Sequence, residues 1–216
     1  MIDDIVWGNP TQRTVAELEK KTIIDELFEV FSEMPFPKNS SIAVKQELNQ
    51  LVDYVSQLKD NEEFVKRYRY YDFGIERLFN KVADEQFVDK ELVNSLLSDI
   101  IPLSTKLKFY FQRPRPYQLA QFYKLKLFPY PTITGNTPSY PSTTTLVSYV
   151  ICKILSIKYD AQKDYFIQLH KDIAYSRLYL GLNYPSDIDF STICGEMILS
   201  NDLFIAKYID DANKPN

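Results

Sequence analysis

"SRLYLGLNYPSD", residues Ser176–Asp187, puts an arginine, an asparagine and an aspartate within one helix-turn-helix step of the chain. Apolar residues at helical spacing predict a helix over 161–182 and another over 187–208, joined by the turn Asn183-Tyr184-Pro185-Ser186. Arg177 then lies near the end of the first helix and Asp187 at the start of the second. An aspartate so placed either caps its own helix or orients the side chain at position 183.

Upstream of this step, Ser142 is placed to cap a helix over 143–158, and a loop rich in proline and aromatics fills 114–140 behind Pro114 and Pro116. Four further helical patterns cover 14–31, 41–58, 61–83 and 90–111. The chain has 216 residues, 45% of them hydrophobic, with only 5 glycines and 12 prolines. The expected fold is all-α, a single bundle of about seven helices spanning 1–216, with N-terminal helices over 14–111 and a motif-bearing half over 105–208.

The start, Met1-Ile2-Asp3-Asp4, has no basic segment followed by an apolar run, so no secretory leader is expected. No window reaches about 18 uninterrupted apolar residues, so no membrane span is expected either. A soluble, cytoplasmic protein follows as the expectation, with Cys152 and Cys194 as buried free thiols in apolar helical patterns. No metal-spaced Cys/His set and no glycine-rich phosphate loop is present.

Charge is unevenly spread in a chain of net charge -4. No Asp or Glu occurs from Ile100 to Tyr159, although 29 acidic residues in 216 would put about eight there by chance. The same stretch carries Lys106, Lys108, Arg113, Arg115, Lys124, Lys126, Lys153 and Lys158. It is either a face that neutralises the acidic remainder of the fold or a region that meets something anionic. The aromatic and basic run Arg67–Arg77 reads either as core and interface packing or as a stacking platform for bases, and the net negative chain argues against nucleic acid as a partner.

Three segments carry groups suited to an oxyanion. "KFYFQRPRP" holds Lys108 in a last helical turn and Arg115 seven residues later, a point charge and a two-pronged donor. "YPSTTT" puts hydroxyls and free backbone N–H groups at a helix N-terminus. "SRLYLGLNYPSD" adds Arg177. Taken singly, each has an ordinary structural explanation as a helix cap or a dipole partner.

Together, Lys-x6-Arg-Pro, then Pro-Ser-x-x, then Ser-Arg-x5-Asn-x3-Asp resembles the three-part signature of the phosphatidic acid phosphatase type 2 superfamily, which includes class A bacterial acid phosphatases and vanadium haloperoxidases. The flanks "FQRPRPY", "SYPSTTT" and "SRLYLGLNYPSDID" are most similar to the soluble class A acid phosphatases, over about residues 105–200. The resemblance implies that Lys108, Arg115 and Arg177 grip phosphoryl oxygens, that Ser142 and the Thr143 N–H complete the cradle, and that Asp187 orients the group at 183. Phosphate, a phosphoester or vanadate is the pocket ligand it implies, with no metal and no other cofactor. Homo-oligomers or an assembly partner also fit that resemblance.

The sequence departs from the family pattern where the chemistry would be done. The family's residue at the place of Asn183 is a histidine that is phosphorylated or ligates vanadate, and at the place of Thr144 a second histidine protonates the leaving group. A carboxamide nitrogen is conjugated and not basic, so Asn183 cannot serve as that nucleophile or ligand. The Thr144 hydroxyl is far too weak an acid to protonate a leaving group near neutrality. Thr143 stands where the family has glycine and crowds the cradle. His170, the only histidine, falls two turns before Arg177, about 10 Å along the helix, and reads as a half-buried structural residue rather than a relocated nucleophile.

The expected function is that of a degenerate phosphatase-like protein with a phosphate pocket and a binding, structural or regulatory role. The alternatives are an active phosphoesterase using water held by Asp187 or a hydroxyl among Thr143–Thr145, and a structural or nucleic-acid-associated component of an assembly.

Overall fold

The computed structural model describes residues 1–59 and 61–210, among which no strand occurs. The N-terminal half runs α1 Gln12–Glu19, α2 Leu27–Ser32, α3 Ile42–Lys59, α4 Glu62–Tyr70, α5 Ile75–Gln86 and α6 Lys90–Phe111. The C-terminal half runs α7 Pro116–Ala120, α8 Thr143–Lys158, α9 Lys163–Tyr179, α10 Pro185–Leu199 and α11 Asp202–Ile205.

The all-α expectation holds, and the helix over 90–111 is found with those ends. Asp89 starts it by accepting the N–H groups of Glu91 and Leu92 at 2.8 and 3.1 Å. The helices over 143–158 and 41–58 are found as well, as α8 and, one residue on, α3, whereas the other predicted helices break into shorter and more numerous elements, because local side chains compete with the backbone. The pattern over 14–31 breaks between α1 and α2, where Thr22 accepts the Ile24 N–H at 3.4 Å and donates to Asp25 at 3.3 Å. The pattern over 61–83 breaks before Gly74, which takes a φ of 88°. The pattern over 161–182 gives a short 3-10 turn and then α9, and that over 187–208 breaks at Asn201, whose side chain caps α11 through Phe204 N–H at 3.1 Å. Pro116, with its φ already helical, seeds α7 inside what periodicity alone reads as loop.

α8 sits at the centre. Leu146, Val147, Val150, Ile151, Ile154 and Leu155 are all buried on it, and it packs against α6, α9 and α10. Removing any one such side chain from water contributes about 1.5–3 kcal/mol. α10 approaches α8 closely at Gly195, where an added Cβ would lie 2.5 Å from the Tyr149 ring. Tyr68, from the aromatic run, stacks on Tyr179 of α9 at 4.8 Å and belongs to the packing between α4 and α9. Cys152 and Cys194 are buried free thiols. No helix among the described residues is long and apolar enough to cross a membrane.

Two tight chain reversals bring distant motif residues together. α6 ends where Gln112 adopts φ 49° and donates its N–H to the Lys108 carbonyl at 2.8 Å, which turns Arg113 and Arg115 back inward. α9 ends in a turn in which Leu182 and Asn183 both donate backbone N–H groups to the Arg177 carbonyl, at 3.0 and 3.3 Å. Gly181 makes this second turn possible. Its φ is +70°, and a Cβ there would come within 2.9 Å of Val55 Cγ2.

Candidate functional site

Lys108 of α6, Arg115 before α7, Ser142, Thr143 and Thr144 at the start of α8, Arg177 of α9 and Asn183 after it line one cavity of about 170 Å³. Thr105, Thr134 and Thr137 complete its wall, and among the described residues no carboxylate lines it. Asp187 stands behind the wall, fully buried. His170 is elsewhere: its Nδ1 lies 2.9 Å from Ser148 Oγ, and burial, then the nearby Lys153 and Lys171 charges, lowers its pKa to about 4.

The three cations of the wall are held chiefly by neutral groups. Lys108 Nζ donates to the Pro138 carbonyl at 2.5 Å. Arg115 donates to the carbonyls of Thr137 and Leu182 at 2.7 and 2.8 Å, and to Thr137 Oγ1 at 3.4 Å. Arg177 Nη1 donates to Thr134 Oγ1 at 2.9 Å and lies 3.5 Å from Asp72 Oδ1, while its Nη2 is buried and without a partner among the described residues. A buried donor left unsatisfied costs about 1–3 kcal/mol, so a ligand oxygen at this point would be well rewarded.

Crowded positive charge shows in the acid-base properties. Lys108 is held well below the ordinary lysine range, first by burial and then by the Arg115 charge. Burial and, beyond the opposing pull of Asp187, the neighbouring Arg177 bring Arg115 down to about 10. Burial also lowers Arg177, against the pull of Asp72. The N–H groups of Thr143 and Thr144, first-turn positions with no intrahelical acceptor, add the positive end of the α8 dipole.

Asn183 is committed in every direction. Its Nδ2 donates to the Ser139 carbonyl at 2.7 Å and to Asp187 Oδ2 at 3.0 Å, and its Oδ1 accepts from Arg115 Nη1 at 3.2 Å. The opposite amide orientation would aim Oδ1 at two acceptors, so the network fixes this one. Ser142 caps α8 through Thr145 N–H at 3.4 Å, and its own N–H is taken by Ser191 Oγ at 2.9 Å. Thr143 Oγ1 shares a hydrogen with Ser104 Oγ at 2.7 Å.

Behind this wall lies a second layer that sequence reasoning did not single out. Arg113, fully buried, donates to Asp187 at 2.5 Å, to Ser186 Oγ at 2.8 Å and to Glu47 at 3.2 Å, and stacks on Tyr184 at 3.8 Å. Burial opposes its charge, yet Asp187, Tyr184 and Glu47 together hold its pKa above the usual value. Its position inside "QRPRP" marked it only as one basic residue among eight. Asp72 was missed as well. It accepts from Ile133 N–H at 2.7 Å and from Thr134 Oγ1, which ties the 131–137 loop over the cavity, but nothing in sequence links it to a loop 61 residues away.

Lys108, Arg115 and Arg177 are the residues that would hold the oxygens of a vanadate or phosphate ion. The bond from imidazole nitrogen to vanadium that the family uses has no counterpart, because Asn183 nitrogen carries no free lone pair and both its hydrogens are donated. No group of three or more His, Cys, Asp or Glu among the described residues is placed to hold a metal.

The model for the PAP2 superfamily matches residues 91–208. Among solved structures, that of the first bacterial vanadium-dependent iodoperoxidase is similar over 97% of this chain, with a TM-score of 0.65 and 16% identity. The chain spans 61% of that protein's length. A search of curated proteins returned no match.

Proposed function

Since the chain belongs to the PAP2 superfamily, we propose that it binds phosphate or a phosphoester in this cavity and does not turn it over by a phosphohistidine route. The observation that carries the reading is the set of three buried basic side chains, Lys108, Arg115 and Arg177, around one cavity whose lining includes no carboxylate among the described residues. Such a set is unfavourable alone and favourable around an oxyanion, which supplies both charge and acceptors. The amide of Asn183 keeps the polar contacts of the position and supplies no nucleophile.

Two features weigh against the other catalytic route. Asp187 is fully buried and already accepts from Arg113, Asn183 and the Tyr184 N–H, so it has no access to a water in the cavity. Thr143 bonds only to Ser104, and among the described residues neither hydroxyl meets a carboxylate or imidazole that would activate it.

Calorimetry with inorganic phosphate and vanadate, run beside a sensitive aryl phosphatase assay, tests the proposal. Wild type is expected to bind without turnover. Arg177→Ala is expected to weaken binding about 10- to 100-fold, the equivalent of one charge-assisted hydrogen bond. Arginine-dependent turnover would overturn the non-catalytic reading, and absence of binding would overturn the pocket.

A pH effect accompanies binding. Burial disfavours the charged form of Lys108 and an anion beside it favours that form, so titrations in buffers of different ionisation enthalpy are expected to show net proton uptake in the window below the ordinary lysine range. Affinity falls as pH rises. Lys108→Met is expected to abolish both binding and uptake while stabilising the empty fold. The folded-state pKa is depressed, so below the ordinary lysine range the unfolded chain holds a proton the folded chain lacks, and stability declines as pH falls through that window. Unchanged proton traffic in the variant would reject Lys108 as the source.

A further inference from the structure

A second cavity of about 350 Å³ opens beside the first and shares Thr105, Thr134, Thr137 and Thr144 with it. Its outer wall comes from α1, through Thr11, Thr14 and Glu17, and from Asn136 of the loop that Asp72 ties down. Only Ile75 and Ile133 among its lining residues are apolar. The volume lies within the roughly 300–1,000 Å³ of small-molecule sites, and the first cavity alone suffices for little more than an oxyanion.

The hydroxyls of this vestibule have hydrogen-bonding capacity to spare. Thr105 Oγ1 donates to the Ile101 carbonyl at 2.8 Å and keeps its acceptor lone pairs. Thr137 Oγ1 accepts from Arg115 at 3.4 Å and keeps its hydrogen. Thr11 and Thr14 share one hydrogen at 2.8 Å, which leaves a second hydrogen for a ligand. Glu17 carries the one carboxylate of the lining, held by Lys20 at 2.7 Å. Donors and acceptors are therefore mixed over the wall, and the carboxylate lines this cavity and not the cationic one.

We infer that the ligand is a phosphate monoester of a small polyol, such as a sugar phosphate, with its phosphoryl group between Lys108, Arg115 and Arg177 and its hydroxyls against Thr11, Thr14, Glu17 and Thr137. This rests on the phosphate-binding reading and adds the ligand's organic part to it. Hydroxyl groups both donate and accept, as this wall does. An acyl or aryl group would gain no hydrogen bond from its threonines, and a second phosphate would meet Glu17.

The test compares inorganic phosphate, a hexose monophosphate, a hexose bisphosphate and phenyl phosphate by calorimetry on wild type, Thr14→Val and Glu17→Gln. The hexose monophosphate is expected to bind on the order of ten-fold tighter than inorganic phosphate, as one or two extra neutral hydrogen bonds provide. Thr14→Val and Glu17→Gln are expected to remove that gain and leave inorganic phosphate binding unchanged. Equal affinity for phosphate and its hexose ester, preference for phenyl phosphate or the bisphosphate, or equal loss for all ligands in the variants would overturn the inference while the phosphate pocket stands. If no phosphorylated ligand binds wild type, pocket and vestibule fall together.

Discussion

Arg113→Met is expected to cost the fold about 3–5 kcal/mol, the usual result of removing one partner from a buried ion pair. Arg113 has no exposed surface and holds two carboxylates, Asp187 at 2.5 Å and Glu47 at 3.2 Å. Methionine fills much of the space against Tyr184 but leaves Asp187 buried with a negative charge and only two close N–H donors, Asn183 Nδ2 at 3.0 Å and Tyr184 N at 2.9 Å. For a chain of this size the loss corresponds to a fall in Tm on the order of 10 °C. Denaturant unfolding measures it, and adding Asp187→Asn is expected to recover part of it by removing the stranded charge. A loss below about 1 kcal/mol would mean that the pair contributes no more than an exposed one.

Thr143→Gly, Thr144→His and Asn183→His in combination are expected to raise aryl phosphatase activity above that of the wild type. The scaffold for a nucleophilic imidazole is already in place. Asp187 Oδ2 sits 3.0 Å from the Asn183 nitrogen, positioned to accept a ring N–H and orient the ring toward the cationic wall. Thr144 lines the same cavity, so an imidazole there is placed to protonate a leaving group. Glycine at 143 opens the approach to the backbone N–H. A missing nucleophile can account for up to about 10⁶ in rate, roughly 8 kcal/mol of barrier, and this bounds the gain. The change sacrifices the Arg115–Asn183 contact at 3.2 Å, so full recovery is not expected. Adding Arg177→Ala should abolish the new activity. A folded triple variant that binds phosphate yet never turns over would show that the wall no longer presents phosphorus to position 183.

Periodicity and caps were enough to read the fold class and the three unbroken helices α3, α6 and α8, because a 3.6-residue repeat and an N-cap are local properties. The same local reasoning fused α4 with α5 and extended α9 too far. It could not weigh Gly74 and Gly181, whose positive φ angles depend on what the turns must join. The resemblance to the three-part family signature made Lys108, Arg115, Ser142, Thr143, Thr144, Arg177 and Asn183 legible as one group, since motif order is a property of the chain.

By itself, then, the sequence determined an all-helical chain, a set of anion-suited side chains and the absence of imidazole at positions 144 and 183. Only the tertiary structure decided that Arg113 belongs to Asp187 and Glu47 instead of to the cavity, that Asp72 ties down the loop above Arg177, and that threonines from α1 extend the cavity outward. Those assignments depend on which buried charge meets which partner across long stretches of chain, and such meetings are settled by packing and desolvation in three dimensions, which no local pattern encodes.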